Sequence, residues 1–333
     1  MIHVLAFIGA GLIVVMAGTA LARYGDEIAE ATKLGRLWIG SVLLAGATSL
    51  PELMTDISAV RLGAVDLAVG DLFGSSMANM LILALIDLLP PRRQVLQQAT
   101  LDHALAATLA ISVNALAAVF ILVRPDFTFL GWIAPGSVLL LFAYVAGTRA
   151  IYRHATREAA VVSSVAPARA EGVRKPSLRR ALLGFGVAAA AVLAAAPAFA
   201  WGAKGIAEMT GLGNTFMGTW LVGLSTSLPE LVASLAAVRM GAFDMAVGNL
   251  FGSNAFNMAI FFALDVAQGG SIFAALDPSH TVSALFGVVL MSLGLGAIVY
   301  RAKRRFAMLE PDSLLVLVAY LMGIVTLYLH AVR

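Results

Sequence analysis

The chain has 333 residues, of which 60% are hydrophobic and only 12% carry a charge. Soluble domains carry about 25% charged residues, so this composition excludes an ordinary soluble protein and favours one embedded in a lipid bilayer. The net charge of +3 arises from basic residues in short connections, which does not indicate a nucleic-acid partner, and the lack of cysteine excludes disulfides and thiolate sites.

Taken in order, the chain predicts ten apolar segments that are each long enough to cross a bilayer as a helix. The first segment ends in small residues, as a signal peptide does, but it lacks a basic start. We expect it to remain as the first span, because its loss would make the two halves of the chain unequal. The predicted spans are 3–22, 37–60, 64–89, 101–123, 129–149, 181–201, 212–238, 243–266, 280–300 and 312–331.

The two halves of the chain share a repeated sequence. Residues 48–88, aligned without a gap on residues 226–266, are identical at 23 of 41 positions. Five predicted spans lie in 1–150 and five in 181–333, and a linker rich in arginine, alanine and serine, 151–180, joins them. Because five is odd, the second half must cross the bilayer in the opposite sense, which is the inverted-repeat arrangement of secondary transporters.

The distribution of basic residues predicts the orientation of the chain in the membrane. If the linker is cytoplasmic, 18 of the 22 lysines and arginines lie on the cytoplasmic side and only four lie on the other side. The positive-inside rule then places both termini outside. The expected fold is therefore an all-α membrane protein of ten transmembrane helices, arranged as two inverted five-helix repeats.

A repeated TSLPE segment places a proline and a carboxylate near the middle of spans 2 and 7. Glu52 and Glu230 are these carboxylates, and neither span has a lysine or arginine in its interior. A charge at mid-bilayer costs at least about 2.5 kcal/mol, so we expect a cation from solution to neutralise each of them. Pro51 and Pro229 lack an N–H, which frees a backbone carbonyl four residues earlier as a ligand for a hard cation such as Na⁺ or Ca²⁺.

Hydroxyl and amide groups accompany the two glutamates. The spacing predicts that Thr48 and Ser49 share a helical face with the first glutamate, and that Thr226 and Ser227 share one with the second. Spans 3 and 8 carry GDLFGSSMAN and GNLFGSNAFN, in which a serine and an asparagine are four residues apart. A lone serine in a span often bonds only to the preceding turn, but duplication of the whole set favours a ligand role.

TSLPE followed by G-[DN]-L-F-G-S-x-x-x-N occurs twice, in 47–80 and 225–258. This pair of motifs resembles the α-repeats of the cation/Ca²⁺ exchanger superfamily, in particular those of prokaryotic Na⁺/Ca²⁺ exchangers. The resemblance implies an antiporter in the cytoplasmic membrane of a prokaryote that carries Ca²⁺ and Na⁺, with no enzymatic activity and no cofactor. It implies as ion ligands Glu52, Ser75, Asn79, Glu230, Ser253 and Asn257, with Thr48, Ser49, Thr226 and Ser227 as secondary ligands.

The chain departs from this pattern, or from its own second repeat, in three respects. Asn257 stands where many members of the superfamily have aspartate, so the implied site carries two formal negative charges rather than three. Asp56 stands where the second repeat has Ser234. Asp71 and Ser76 stand where it has Asn249 and Asn254. We expect Asp56 either to face water near the end of its span or to add a further carboxylate to the site.

Other functions stay open. Exchange of H⁺ for Ca²⁺ would use the same scaffold, because a buried carboxyl group can carry a proton. An intramembrane hydrolase is disfavoured, since the chain has neither a G-x-G-D nor a G-x-S-x-G motif, and it also lacks the Walker A pattern of an ATP-driven pump. A channel is disfavoured because inverted duplication around broken helices suits alternating access.

Overall fold

The computed structural model describes residues 2–88, 103–124, 128–129, 131–165, 177–210, 226–300 and 311–331. Within these ranges the regular structure is helical, and the one β-bridge, between Phe129 and Ile133, is isolated. The prediction of an all-α protein is therefore confirmed. The helices are α1 Ile2–Thr32, α2 Arg36–Thr48, α3 Leu50–Arg61, α4 Val65–Leu88, α5 His103–Val123, α6 Pro135–Val165, α7 Leu178–Thr210, α8 Leu228–Arg239, α9 Phe243–Gln268, α10 Ile272–Ala275, α11 His280–Tyr300 and α12 Pro311–Ala331.

Six of the described helices are long and apolar enough to cross a membrane, and the bent pair of α2 and α3 would make a seventh. A described helix overlaps each of the ten predicted spans, but residues 211–225, in the predicted seventh span, lie outside the described residues. The count of ten spans therefore stays a prediction. Helix α6 continues to Val165, so helical structure extends into the part of the chain for which the sequence predicts a linker.

The apolar side chains cover the outside of the molecule. On α1, α6 and α7, for example, the large apolar residues Leu5, Met16, Phe142 and Val187 are each more than 60% exposed. Contact of these side chains with lipid tails costs no free energy, whereas their exposure to water is unfavourable. The interior holds a large set of buried apolar side chains and, among them, many buried polar and charged ones.

Helices α4 and α9 lie at the centre of the fold. Helix α9 packs against α2, α3, α4, α5, α6 and α8, and α4 packs against α3, α8, α9, α11 and α12. These are the helices that carry the repeated glycine, serine and asparagine residues. Their central position explains why both are buried over most of their length although they carry polar side chains.

The second span is broken where the TSLPE segment predicts it. Helix α2 contains a π-helical segment, Ile39–Leu44, and ends at Thr48, and α3 begins at Leu50 with a bend of 40°. Pro51 lies in the first turn of α3, where the missing N–H breaks no helical bond. The prediction that the Thr and Ser of TSLPE share one helical face with the glutamate is wrong for this repeat, because a new helix begins after Ser49.

Helices α2 and α9 contact each other through their backbones. A Cβ atom added at Gly252 would collide with the backbone of Ser41, and one added at Gly40 would collide with the backbone of Met245. Small residues at such crossings let two helices approach until their main chains touch. The contact fixes the position of α9 against the π-helical segment, one turn before the break.

Candidate ion-binding site

The ten predicted ligand residues lie in one buried region, formed by the α2–α3 break, the start of α8, and the middle of α4 and α9. Each of their side chains is at most 2% exposed. They are Thr48, Ser49, Glu52, Ser75, Asn79, Thr226, Ser227, Glu230, Ser253 and Asn257.

Serine hydroxyls connect the two repeats around the glutamates. Ser75 on α4 donates to Glu52 Oε1 at 3.4 Å, and its oxygen lies 2.9 Å from the hydroxyl oxygen of Ser227 in the other repeat. Ser49 of the first repeat donates to Glu230 Oε1 across the interface at 3.1 Å. Each glutamate therefore lies in a hydrogen-bonded group that includes a serine of the other repeat, and the two carboxyl groups are close enough to interact electrostatically.

The two repeats also bind their own glutamates in the same way. Ser253 on α9 donates to Glu230 Oε1 at 3.4 Å, which reproduces the contact between Ser75 and Glu52 at the equivalent positions. The duplicated sequence is thus matched by a duplicated contact. Such agreement between sequence and geometry supports the prediction that the serines of α4 and α9 act together with the glutamates.

Several buried oxygens of the cluster have no hydrogen-bond partner among the described residues. They are Oε2 of Glu52, Oε2 of Glu230, Oδ1 of Asn79 and Oδ1 of Asn257. The side-chain nitrogen of Asn257 also has no partner among these residues. Buried polar atoms are nearly always hydrogen-bonded, so this concentration of unbonded acceptors is unusual. Carboxylate and amide oxygens are the ligands that hard cations prefer, so these unbonded atoms are the candidates for contact with a cation.

The glutamates have no basic partner in the part of the chain that the structure describes. The ion pairs found there join other acidic groups to Arg23, Arg36, His103 and His280. In the same ranges, no three acidic, histidine or cysteine side chains are grouped closely enough to hold a metal ion by themselves. Hydroxyl and amide oxygens would therefore have to complete the coordination of any ion bound between the glutamates.

A chain of amide groups, which the sequence does not predict, orients Asn79. Its Nδ2 donates to Asn254 Oδ1 at 2.9 Å, and Asn254 in turn donates to the carbonyl of Ser76 at 3.2 Å. Asn114, buried in α5, donates to the carbonyls of Ala110 and Asn254. Because these bonds engage the nitrogen of Asn79, its free oxygen is the atom available to a ligand. An asparagine within an otherwise apolar span was the available signal for Asn114.

The threonines of the TSLPE segments bond to the central helices α4 and α9. Thr48 donates to Asn249 Oδ1 on α9 at 3.3 Å and to the carbonyl of Leu44 at 3.1 Å. Thr226 donates to Asp71 Oδ1 on α4 at 3.1 Å. Each threonine therefore connects its own repeat to the central helix of the other repeat.

Asp56 is fully buried, so the expectation that it could face water is wrong. Its carboxyl group lies within hydrogen-bonding reach of Asp71, and both aspartates lie close to Glu52. The position of Asp56 one turn after a glutamate that faces the interior is the sequence signal for this burial. The site region thus contains four carboxyl groups, two more than the predicted ligand set.

Two pairs of histidine and aspartate join the repeats at the ends of central helices. His103, at the start of α5, lies 3.3 Å from Asp244 on α9. His280, at the start of α11, lies 3.2 Å from Asp66 on α4. These pairs are a second set of equivalent contacts between the repeats, outside the predicted site.

Comparison with known proteins identifies what the chain is similar to. The family described as sodium/calcium exchanger protein matches residues 2–152 and 180–329. The inner membrane protein YrbG of Escherichia coli (strain K12) is 32% identical, over 76% of this chain and 76% of its own length. CaxA of Alkalimonas amylolytica is 30% identical, over 87% of this chain and 90% of its own.

The fold is also similar to that of a solved exchanger. The sodium-calcium exchanger NCX_Mj, in crystals soaked with Na⁺ and Sr²⁺, superposes with a TM-score of 0.73. The two sequences are 25% identical, and the match covers 97% of this chain and 98% of the other. The similarity therefore extends over both repeats and is not confined to the motifs.

Proposed function

The chain belongs to the sodium/calcium exchanger family, and on this premise we propose that it is a secondary-active antiporter that exchanges Na⁺ for Ca²⁺. Members of the family are membrane transporters rather than enzymes, and the ions they carry are substrates rather than cofactors. We place this protein in the cytoplasmic membrane of a prokaryote.

The observation that carries the proposal is the pair of neighbouring buried glutamates, around which serines from both repeats form hydrogen bonds. Glu52 and Glu230 each keep one oxygen without a partner among the described residues, and their charges sum to the charge of one Ca²⁺ with opposite sign. Ca²⁺ takes six to eight oxygen ligands, which two carboxylates alone do not supply. We propose that Ser75, Asn79, Ser253 and Asn257 supply the others.

The threonine and serine of each TSLPE segment are proposed as further ligands for Na⁺. Ser49 and Ser227 support this role through their contacts with Glu230 and Ser75. Thr48 and Thr226 lie one residue earlier and bond to the central helices, so they would shape the edge of the site. Several Na⁺ ions spread over these oxygens would then replace a single Ca²⁺.

The proposed architecture is ten transmembrane helices in two inverted five-helix repeats, 1–150 and 181–333, with the linker 151–180 in the cytoplasm and both termini outside. The gap-free sequence repeat and the equivalent contacts of Ser75 and Ser253 support this arrangement. An ion site between two inverted repeats can open to either side of the membrane when the repeats rock against each other.

Coupling would follow from the charge of the site. A ligand shifts a conformational equilibrium only through its different affinities for the two states. With no cation bound, the two glutamates would be uncompensated and would resist the change between outward-facing and inward-facing states. Binding of Ca²⁺, or of several Na⁺, would remove that barrier, so the two ions would cross in turn without ATP.

Exchange of H⁺ for Ca²⁺ is the second candidate function. The observation that favours it is the presence of Asp56 and Asp71, two further buried carboxyl groups beside Glu52. Carboxyl groups can carry protons across the membrane in place of Na⁺. The hydroxyl ligands of the TSLPE segments favour Na⁺, because protons do not need them.

Uptake of radiolabelled Ca²⁺ into proteoliposomes tests the proposal. We expect rapid uptake when Na⁺ is present at high concentration only inside the vesicles, and little uptake when an outward H⁺ gradient replaces the Na⁺ gradient. Vesicles with equal Na⁺ on both sides give the background. Uptake driven by the H⁺ gradient alone would assign the protein to the second candidate function.

A further inference from the structure

Among the buried positions at which the two repeats differ is one pair whose side chains lie next to each other. In the second repeat this pair is Ser234 and Asn249, and the two side chains satisfy each other. Asn249 donates its Nδ2 hydrogen to Ser234 Oγ at 3.0 Å, and its oxygen accepts the hydrogen bond of Thr48 at 3.3 Å. The second repeat therefore has a neutral, fully bonded pair at this place.

The first repeat has Asp56 and Asp71 at the equivalent positions. Thr226 donates to Asp71 Oδ1 at 3.1 Å, just as Thr48 does to Asn249, so the outer part of the network is preserved. The inner part is not, because ionised carboxylates only accept hydrogen bonds and cannot bond to each other as an amide and a hydroxyl do. Two carboxyl groups thus lie within hydrogen-bonding reach of each other where the second repeat has an amide and a hydroxyl, and either a proton or a cation between them would offset their repulsion.

Among the described residues, no basic side chain offsets the charge of the aspartate pair. Apart from the two aspartates themselves, no described residue donates a hydrogen bond to either oxygen of Asp56 or to Oδ2 of Asp71, and the side chains are 0% and 2% exposed. The ion pairs of these ranges involve neither aspartate. An uncompensated buried charge is costly, and the fully buried Asp56 lies within reach of Asp71 rather than of water.

We propose that Asp56 and Asp71 hold one Na⁺ ion between them, at a position separate from the glutamates. The proposal rests on the proposed Na⁺/Ca²⁺ exchange and adds a second cation position to it. Asp56, Asp71 and Thr226 offer five oxygens at most, fewer than the six to eight that Ca²⁺ takes, and all five are hard donors that suit Na⁺. The Na⁺ would remain bound while Ca²⁺ occupies the glutamates.

The second repeat supplies the variant that tests this site. Asp56→Ser combined with Asp71→Asn gives the first repeat the same pair of side chains that bond to each other in the second repeat. The double variant should therefore fold and keep its glutamate site. Asp56→Ser alone is a second variant, which removes the unbonded carboxylate but leaves Asp71 bonded to Thr226.

The measurement is equilibrium binding of radiolabelled Na⁺ to the purified full-length protein at saturating Ca²⁺. The unmodified protein should retain one bound Na⁺ per chain, and both variants should lose it while they bind Ca²⁺ normally. Glu30→Gln, which removes an exposed carboxylate from α1, should retain it. Loss of all Na⁺ from the unmodified protein at saturating Ca²⁺ would overturn the proposal, and it is the result expected if the pair held a proton instead. Full Na⁺ binding by the variants would also overturn it.

Glu230→Gln separates this proposal from the proposed exchange. This variant should lose Ca²⁺ binding and still bind the Na⁺ of the aspartate pair. If Ca²⁺ binding survived the substitution, the assignment of the exchange site would be wrong. The number of Na⁺ ions bound by the Asp56→Ser and Asp71→Asn double variant would still show whether the aspartate pair binds Na⁺.

Discussion

Each of the two buried glutamates has one oxygen bonded to serine and one oxygen without a hydrogen-bond partner among the described residues. The bonded oxygen fixes the direction of the side chain, and the free oxygen is left for a ligand. Holding a ligand group in place before the ion arrives lowers the cost of binding. Ser49 and Ser75 therefore act as positioning residues in addition to any direct contact with an ion.

Glu52→Gln and Glu230→Gln should each reduce Ca²⁺ flux to the level of protein-free liposomes, because the remaining glutamate cannot balance a divalent ion in this site. Thermal stability should be unchanged or higher, since each substitution removes a charge that costs about 2.5–3.5 kcal/mol inside a membrane. Flux assays and thermal unfolding of the purified variants test both statements. Glu30→Gln, on the exposed side of α1, should behave as the unmodified protein. Nearly normal flux in both glutamine variants would contradict the assigned site.

At the scale of helices, the backbone contact between α2 and α9 positions the two halves of the site. Ser41, in the π-helical segment, lies against Gly252, and Gly252 immediately precedes Ser253, which bonds to Glu230. A change in the distance between these helices would therefore move a proposed ligand. π-helical turns within α-helices are often found at functional sites, and here the turn provides the surface on which α9 rests.

Gly252→Ala should lower both stability and Ca²⁺ flux. The added methyl group would collide with the backbone of Ser41, and overpacking of this kind costs about 1–3 kcal/mol. Thermal unfolding and proteoliposome flux measure the two effects. Gly296→Ala on α11 is the control, because a Cβ there meets nothing within 4 Å and alanine favours a helix over glycine. Equal behaviour of the two variants would show that the contact between α2 and α9 is not required.

The helices and the break of the second span could be predicted because both depend on local sequence. Apolar length gives the span, and Pro51 gives the position of the break. The partners of the polar groups could not be predicted in the same way. Whether Thr48 bonds to Glu52 or to Asn249 depends on how each helix is rotated about its axis, and packing between distant segments sets that rotation. The same reason left the burial of Asp56 open.

At the scale of the whole molecule, two equivalent residues report the direction in which each repeat crosses the membrane. Leu62 follows α3 and Met240 follows α8, and their side chains are 85% and 41% exposed. Because the chain has no cysteine, Leu62→Cys and Met240→Cys each create a single labelling site. An impermeant maleimide should label Leu62→Cys in intact cells, but Met240→Cys only after the membrane is opened. Labelling of both from the same side would contradict an inverted repeat.

Na⁺ and Ca²⁺ should compete for the glutamates, and this competition decides between the two candidate functions. Raising Na⁺ should weaken the apparent affinity for Ca²⁺ with a Hill slope above one, because more than one Na⁺ must replace each Ca²⁺ between Glu52 and Glu230. Ca²⁺ binding isotherms at several Na⁺ concentrations, with choline added to keep the ionic strength constant, measure this effect. If H⁺ is the exchanged ion, Na⁺ should leave the isotherms unchanged and acidification alone should displace Ca²⁺. Because reciprocal coupling is required thermodynamically, Ca²⁺ must in turn weaken Na⁺ binding at the glutamates by the corresponding amount.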